Sequence, residues 1–219
     1  MRHLAGKFIV FDGGEGCGKS TQARMLRERL ESEGVAVLAV HDPGATRIGE
    51  MIRAILLNPE NAEMAMRCEM LLYMASRAQM MVEKILPALE QGMVVISDRF
   101  VSSTLAYQLG GDGLTAQEIR RTAEAAIRGR WPDLTLIFDL PVEASSVRVR
   151  PKFTLFPDDP QAGMDLDRIE KRSMEYHARV RQNYLEQVKA DPQRYRVIDA
   201  SRSIEDVHAD VLKAVMSLG

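Results

Sequence analysis

The sequence predicts an α/β domain in which helices cover both faces of a parallel sheet. Five short and nearly continuous apolar runs have the length of strands, at 8–11, 35–40, 93–97, 134–138 and 195–198. Helical patterns separate these runs, and strands that are apolar throughout are typical of a parallel sheet that is buried on both sides. The first run leads directly into a glycine-rich loop. These observations together predict the fold class.

Helical periodicity predicts the elements between the strands. The first helix follows the glycine-rich loop and ends at Gly34, and a short second helix over 48–56 stops before Pro59. A long third helix is predicted from about 64 to 91, with Pro87 as the site of a kink near its end. Three more helices are predicted, from the Thr115–Glu118 capping box to 128, over 165–190, and from Ser203 onward.

Length and composition narrow the class of protein. The 219 residues suffice for one α/β domain with a lid, and the formal charge of -2 without a basic run argues against nucleic-acid binding. No apolar stretch approaches the ~18 residues of a membrane span, and the N-terminus lacks a signal-peptide pattern, so a cytoplasmic location is expected. The cysteines, Cys17 and Cys68, fit a reducing compartment, and the four histidines have no metal-binding spacing.

The glycine-rich loop carries the phosphate-binding pattern G-x-x-x-x-G-K-[ST] between Gly13 and Ser20. Its glycines let successive backbone N–H groups point at an anion, and the helix that begins near Lys19 adds the positive end of its dipole. Lys19 is expected to reach the β- and γ-phosphates of a nucleotide, and Ser20 to ligate the bridging Mg²⁺. The predicted ATP-binding residues are Gly13, Gly14, Glu15, Gly16, Cys17, Gly18, Lys19, Ser20 and Thr21. A glycine-rich turn that binds nothing is the alternative.

Cys17 lies at the start of the predicted helix beside Lys19. A cation and a helix N-terminus both stabilise a thiolate, so a lowered thiol pKa is expected. Burial of the sulfur against the sheet is the alternative.

A second motif follows the third predicted strand. Asp98 ends that apolar run, where its carboxylate could hold the water shell of Mg²⁺ beside Ser20. Arg99 follows at once and fits an anionic acceptor that docks opposite the nucleotide, although a salt bridge at the strand end is the alternative. Next in the chain, in a predicted turn, come Ser102, Ser103, Thr104, Tyr107 and Gln108. Polar clusters at the carboxyl ends of strands are where doubly wound sheets bind ligands.

Three segments together resemble the successive signatures of bacterial thymidylate kinases. They are FDGGEGCGKST in the phosphate loop, DRFVSSTLAYQ over 98–108, and DRIE over 167–170. The resemblance spans almost the whole chain, and the second segment is much more specific than the first. It implies phosphoryl transfer from ATP to dTMP to give dTDP, with Mg²⁺ as cofactor. It also implies a P-loop nucleotide kinase fold with a five-stranded parallel sheet of order 2-3-1-4-5 and a lid, usually in a homodimer.

The resemblance assigns the base pocket to four residues. Tyr73 would stack on thymine and Arg77 would bond its O4, and a spacing of four residues places both on one helix face. Thr104 and Gln108 would line the same pocket. A surface contact between Tyr73 and Arg77 is the alternative interpretation of their spacing.

The remaining family roles concern the sugar and the phosphates. Glu15 would lie near the deoxyribose 3′-hydroxyl and the metal, and Tyr107 would crowd C2′ and disfavour ribose. Arg53 and Arg99 would bind the dTMP phosphate, and Asp42 belongs to a segment near the acceptor. That segment departs from the family pattern, because the usual Arg-Glu-Pro-Gly-Gly is His-Asp-Pro-Gly-Ala over 41–45. His41 could partly replace the lost cation.

The predicted lid, at about 141–166, also departs from the family pattern. Arg148, Arg150 and Lys152 match the start of an arginine-rich segment, but a proline-rich insertion over 151–164 follows. In one branch of the family an arginine stands in the phosphate loop where this chain has Gly16, so the catalytic arginine is expected from the lid. The residues expected to act in phosphoryl transfer are Glu15, Lys19, Arg99, Arg148 and Arg150, with Lys152 and Arg168 as the next candidates. An insertion without function is the alternative for 151–164.

Two other functions compete with that of a dTMP kinase. A kinase for another nucleotide or a deoxynucleoside would keep the phosphate loop and the Asp98–Arg99 pair but would not need the Ala-Tyr-Gln string. A GTPase switch would need an N-K-x-D and a D-x-x-G motif, and the sequence contains neither.

Overall fold

The computed structural model describes residues 1–148 and 167–218. Its sheet has five parallel strands in the order β2-β3-β1-β4-β5, which confirms the predicted topology. The strands are β1 (Phe8–Gly13), β2 (Val37–His41), β3 (Val94–Asp98), β4 (Leu134–Asp139) and β5 (Tyr195–Asp199). All five strands were predicted, with boundaries that differ by two residues or fewer.

Helices pack on both faces of this sheet. They are α1 (Lys19–Ser32), α2 (Arg47–Leu57), α3 (Met66–Met80), α4 (Leu86–Glu90), α5 (Val101–Tyr107), α6 (Ala116–Ile127), α7 (Val142–Arg148), α8 (Met174–Ala190) and α9 (Ile204–Met216). On β1, Ile9 and Phe11 pack with α1 and α9, while Phe8 and Val10 pack with α3 to α6. Because successive strand residues point to opposite faces, an uninterrupted apolar strand supplies both cores.

The polar cluster after Arg99 lies on a helix, which corrects the prediction of a turn. Helix α5 begins at Val101 and its apolar side, Val101 and Leu105, is buried. The other side of α5 carries the hydroxyl and amide groups that face the site. With only two large apolar residues among the seven of this helix, its periodicity was too weak to identify from the sequence.

The predicted long helix is interrupted before Pro87. Helix α3 ends at Met80, a wider π-helical turn follows over Met81–Ile85, and the N–H of Leu86 donates to the carbonyl of Met81. Pro87 has no N–H, and its ring would clash with the carbonyl four residues earlier in a regular helix. A π-helical turn relieves this conflict. The interruption of the regular helix therefore precedes the proline.

Helix α8 begins at Met174 and not at the predicted residue 165. Ser173 caps it by accepting a hydrogen bond from the N–H of Tyr176 at 3.3 Å. Before the cap, the Asp167 carboxylate accepts from the N–H groups of Ile169 and Glu170, and such a side-chain turn competes with helix.

Most of the predicted lid, including the 151–164 insertion, lies outside the described residues. Its start forms α7, which was not predicted. Within 1–148 and 167–218, every helix is too short or too polar to cross a bilayer.

Candidate active site

The phosphate loop joins β1 to α1 and depends on glycine at its first position. Gly13 has a φ of 141°, and a Cβ there would lie 2.5 Å from the carbonyl oxygen of Phe138. Lys19 is the first residue of α1, and its Nζ donates to the carbonyl of Gly14 at 2.6 Å. The side chain is buried, so this ammonium lies inside the loop and not in solvent. The loop thus combines backbone N–H groups, a helix N-terminus and one cation.

Ser20 and Asp98 meet as the sequence predicted. The Ser20 hydroxyl donates to Asp98 Oδ2 at 2.6 Å, which joins the first turn of α1 to the carboxyl end of β3. Hydroxyl and carboxylate oxygens are hard ligands of the kind Mg²⁺ prefers. Thr21, the next residue of α1, is partly buried.

Arg99 connects the two sides of the site. It has a left-handed φ of 69°, and its guanidinium donates to Glu15 Oε1 at 2.5 Å and to the Gly13 carbonyl at 3.1 Å. Burial raises the pKa of Glu15, but the charges of Arg99 and Lys19 outweigh it and lower that pKa to about 2. Arg99 also lies over the Tyr107 ring, and the Tyr107 hydroxyl donates to Glu15 at 3.2 Å. Arg99 therefore pairs with Glu15 of the phosphate loop and, at 3.4 Å, with Asp12 near the end of β1.

Asp12 is a site residue that the sequence analysis missed. Its fully buried carboxylate accepts hydrogen bonds from Ser102 at 2.6 Å, Ser103 at 2.7 Å and the Tyr184 hydroxyl at 2.6 Å. Burial and the nearby Asp12 charge raise the pKa of Tyr184. The signal in the sequence was a carboxylate that directly follows the apolar run 8–11 and precedes the glycine-rich loop. Through these bonds Asp12 fixes α5 and α8 against the phosphate loop.

Arg77 is fully buried between Asp42 and Thr104. Its guanidinium pairs with the Asp42 carboxylate at 2.5 Å and donates to the Thr104 hydroxyl at 3.3 Å. The ring of Phe100 lies 5.1 Å from its Cζ. Burial raises the pKa of Asp42, and the charge of Arg77 opposes that rise. Among the described residues Asp42 Oδ1 has no hydrogen-bond partner. The structure thus brings Arg77, Thr104 and Asp42 together.

Tyr73 and Gln108 lie beside this group. Tyr73 is partly buried, and burial raises the pKa of its hydroxyl. Gln108 caps α5 and its Nε2 donates to Glu69 Oε1 at 2.7 Å. Arg168, the reserve candidate for the catalytic arginine, pairs with Glu69 and donates to the Leu56 carbonyl at 2.9 Å. These contacts hold Arg168 in the buried interior, which argues against a role on the transferred phosphate.

Arg53, on α2, contacts the segment 41–46. Arg53 Nη1 donates to the Pro43 carbonyl at 3.0 Å. His41 contacts Glu50 at 2.8 Å, so the histidine that stands in place of the family arginine is engaged by α2. Ala45 has a φ of 61°, where the family pattern has glycine.

The start of the predicted lid contacts the phosphate loop directly. The Ser145 hydroxyl on α7 donates to the Glu15 carbonyl at 2.6 Å. Arg148 is the last residue of α7, and Arg150 lies outside the described residues.

The expected low thiol pKa of Cys17 is wrong. The side chain is 3 % exposed and packs in the core between the sheet, α1 and α9, and its thiol donates to the Gly14 carbonyl. Burial raises the pKa of the thiol, and the charges of Lys19 and Arg99 only partly oppose the rise. Of the two cysteines, Cys68 is the exposed one.

A phosphate loop on the central strand of a 2-3-1-4-5 parallel sheet, with an arginine and a polar helix at the adjacent strand end, defines a P-loop nucleotide kinase. Comparison with known proteins identifies the family. A family model described as thymidylate kinase matches residues 11–211. The chain belongs to the thymidylate kinase family.

Individual relatives agree with this assignment over nearly the full length. A thymidylate kinase from Pelotomaculum thermopropionicum is 46 % identical, over 96 % of this chain and 93 % of the relative. One from Caldanaerobacter subterraneus subsp. tengcongensis is 42 % identical, over 97 % and 96 %. The crystal structure of thymidylate kinase from Ehrlichia chaffeensis matches with a TM-score of 0.74 and 30 % identity, over 96 % of this chain and 98 % of that one.

Proposed function

We propose that this protein transfers the γ-phosphoryl group of ATP to dTMP and forms dTDP. The observation that carries the proposal is the position of Arg99, which contacts Glu15 and Gly13 of the phosphate loop while lying one residue after Asp98. A cation that binds the acceptor phosphate there is adjacent to the loop that binds the donor. Family membership supports the same reaction.

On the donor side, the loop over 13–21 binds the ATP phosphates and Lys19 neutralises charge on the β- and γ-phosphates. Ser20 would ligate Mg²⁺ and Asp98 would hold the water shell of the ion, which would neutralise charge on the phosphates when bound. The described residues contain no cluster of three His, Cys, Asp or Glu side chains that could hold a metal, which fits Mg²⁺ bound largely by phosphates and water.

On the acceptor side, Arg99 and Arg53 bind the dTMP phosphate. Its attacking oxygen is already anionic and needs no general base, so positioning and charge neutralisation supply most of the catalysis. Glu15 lies near the 3′-hydroxyl, and Tyr107 crowds C2′. The base contacts Tyr73, Arg77, Thr104, Gln108 and the Asp42 segment.

The lid belongs to the same proposal. Residues 1–219 form one kinase domain, in which 141–166 act as the lid and Arg148 or Arg150 supplies the catalytic arginine. The contact between Ser145 and the Glu15 carbonyl supports this role, because it places the start of the lid against the phosphate loop.

The protein is further proposed to act in the cytoplasm as a homodimer. Helix α2 exposes an apolar stripe, Ile48, Met51 and Ile55, and the neighbouring α3 exposes Leu71. Exposed apolar side chains in a contiguous row are typical of an interface. Analytical ultracentrifugation tests the dimer, and Met51→Glu should shift it toward monomer.

An assay of ADP release with the purified protein tests the reaction. Turnover should be highest with dTMP among dTMP, dUMP, dCMP, dGMP, AMP, UMP and thymidine. Lys19→Ala should lower kcat by roughly 10²- to 10³-fold, the usual loss for one donor to transition-state charge, with little change in the dTMP dissociation constant. Preferred turnover of thymidine or of another monophosphate would support the alternative kinases. Near-normal turnover by Lys19→Ala would reject the assignment of the loop.

A further inference from the structure

Glu69 is a buried carboxylate to which the proposed reaction assigns no role. It lies on α3, four residues before Tyr73 and eight before Arg77, so the three side chains share one helix face. The side chain is fully buried. Its Oε1 accepts from Gln108, and its Oε2 accepts from Arg168 and from Arg172, the latter at 2.7 Å.

The two arginines hold this carboxylate in place. Arg168 is also tied to the Leu56 carbonyl at 2.9 Å. Arg172 donates to the Tyr176 hydroxyl at 2.5 Å, and that hydroxyl donates to the Tyr107 carbonyl at 2.8 Å. Because both guanidinium groups have further partners, they hold the Glu69 carboxylate at a defined position. An ionised carboxylate can only accept hydrogen bonds.

An acceptor-only partner determines the orientation of the Gln108 amide. One end of an amide donates and the other accepts. Turning the Gln108 amide over would place its oxygen against the Glu69 carboxylate, which puts two acceptors in contact. Nε2 therefore faces Glu69, and Oε1 remains directed away from it as an acceptor.

Two pairs of side chains connect helix α3 with helix α5 and its C-cap at the predicted base pocket. Arg77 faces Thr104, and Glu69 faces Gln108, so the pairing runs antiparallel along the two helices. Tyr73 lies between Glu69 and Arg77 on α3. The predicted base pocket therefore has a hydrogen-bond donor, the Arg77 guanidinium, at one end. At the other end it has an oriented acceptor, the Gln108 amide oxygen.

We infer that Glu69 is a positioning residue that sets pyrimidine specificity by orienting Gln108. The inference rests on the proposed dTMP kinase function. Thymine and uracil present an N3–H donor next to the O4 acceptor, which match Gln108 Oε1 and Arg77. Cytosine presents an unprotonated N3 and a 4-amino donor, which oppose both groups. Glu69 itself does not touch the base and acts through Gln108.

The test is the ratio of kcat/KM for dTMP to that for dCMP. Glu69→Gln keeps the size of the side chain, but Arg168 and Arg172 bind the oxygen of the new amide, so its nitrogen donates to Gln108 and turns the Gln108 amide over. We expect kcat/KM for dCMP to rise about tenfold and that for dTMP to fall about tenfold, since the hydrogen-bond mismatch at N3 is relieved for cytosine and created for thymine. A weakened fold would lower activity with both substrates and would not raise kcat/KM for dCMP.

Two further variants separate orientation from general support. Arg172→Met removes one partner of the Glu69 carboxylate but leaves the hydrogen bond between Glu69 and Gln108. The ratio of kcat/KM for dTMP to that for dCMP should therefore stay at the wild-type value. The double variant Glu69→Gln/Gln108→Glu places an acceptor-only group at 108 and should restore the preference for dTMP.

An unchanged ratio in a folded Glu69→Gln variant would overturn the inference. If that variant does not fold, Gln108→Leu decides, because loss of the oriented acceptor should lower the ratio about tenfold, and an unchanged ratio there overturns the inference equally. Failure of the wild-type protein to phosphorylate dTMP would instead reject the proposed function, so the two failures are distinguishable.

Discussion

The donor half and the acceptor half of the site are built differently. The donor half consists almost entirely of consecutive residues, 13–21, in which backbone groups and one lysine surround the phosphate position. Asp98 joins this half from the end of β3. Such a loop is determined by its own glycines and by the strand and helix that flank it.

The acceptor half is instead built from side chains far apart in the chain. Asp42 and Arg77 are 35 residues apart, Arg77 and Thr104 are 27 apart, and Glu69 and Arg168 are 99 apart. These contacts exist only when four elements pack together. A local motif therefore indicates that a nucleotide binds, whereas specificity for the acceptor depends on tertiary packing. Variants in each half test this contrast.

Loss of the lid arginines tests whether the donor half is complete in itself. With Gly16 in the loop, the loop supplies Lys19 as its only cation, so the double variant Arg148→Ala/Arg150→Ala should lower kcat by about 10³-fold or more. The ATP dissociation constant should change little, because the contact strengthens mainly in the transition state. Adding Gly16→Arg should restore part of the loss. A wild-type kcat in the double variant would show that the catalytic cation lies elsewhere. The control is Arg24→Ala, which removes an exposed arginine of α1 and should leave kcat unchanged.

Breaking the Arg77–Asp42 pair tests the acceptor half. Arg77→Ala leaves a buried carboxylate uncompensated and should cost about 3–5 kcal/mol in the free energy of unfolding, measured by urea denaturation. It should also weaken dTMP binding more than ATP binding, because thymine O4 loses its charged donor. Adding Asp42→Asn should recover stability but not dTMP affinity. Parallel recovery of both would mean that Arg77 serves the fold alone.

Glu15, where the halves meet, should make stability depend on pH. Its pKa in the folded protein, about 2, is below the ordinary 4.5, because Arg99 and Lys19 outweigh burial. A lowered acid pKa contributes stability above pH 4.5, about 3 kcal/mol here, and this contribution is lost as pH falls from about 4.5 toward 2. Glu15→Gln should flatten that acid-side slope in urea unfolding at a series of pH values, whereas the exposed Glu28→Gln should not. An equally steep slope in Glu15→Gln would contradict the assignment.

The smallest effect concerns the strained backbone at Ala45. A left-handed φ costs an alanine roughly 1–2 kcal/mol, and glycine removes this cost while adding flexibility to the unfolded chain. Ala45→Gly should therefore stabilise the protein by less than about 1 kcal/mol. Ala125→Gly, in the exposed interior of α6, should destabilise it by a similar amount. A loss of stability in Ala45→Gly would show that the turn is not strained.

Elements with strong local signals were predicted well from the sequence. The apolar strands, the capping box at Thr115 and the phosphate loop each depend on interactions between residues a few positions apart. Helix α5 was missed because its polar residues dominate its pattern. The start of α8 was misplaced because the Asp167 side chain and the Ser173 cap hold a turn before it.

Within the site, the residues that belong to a sequence motif could be predicted. The residues that only hold other site residues in position could not. Asp12 and Glu69 belong to the second kind, since each is a buried carboxylate that holds other site residues in position. Cys17 shows the converse error. Its neighbours along the chain suggested a low thiol pKa, but burial, which sequence neighbours do not show, raises it.

The strand-helix alternation, the phosphate loop and the family can be read from the residues alone, because apolar periodicity and short motifs act over a few residues. The pairing of charges instead depends on how the elements pack: Arg99 pairs with Glu15, Arg77 with Asp42 and Glu69 with Arg168. The physical reason is that buried charges must find partners wherever packing brings them together, and separation along the chain does not constrain that choice.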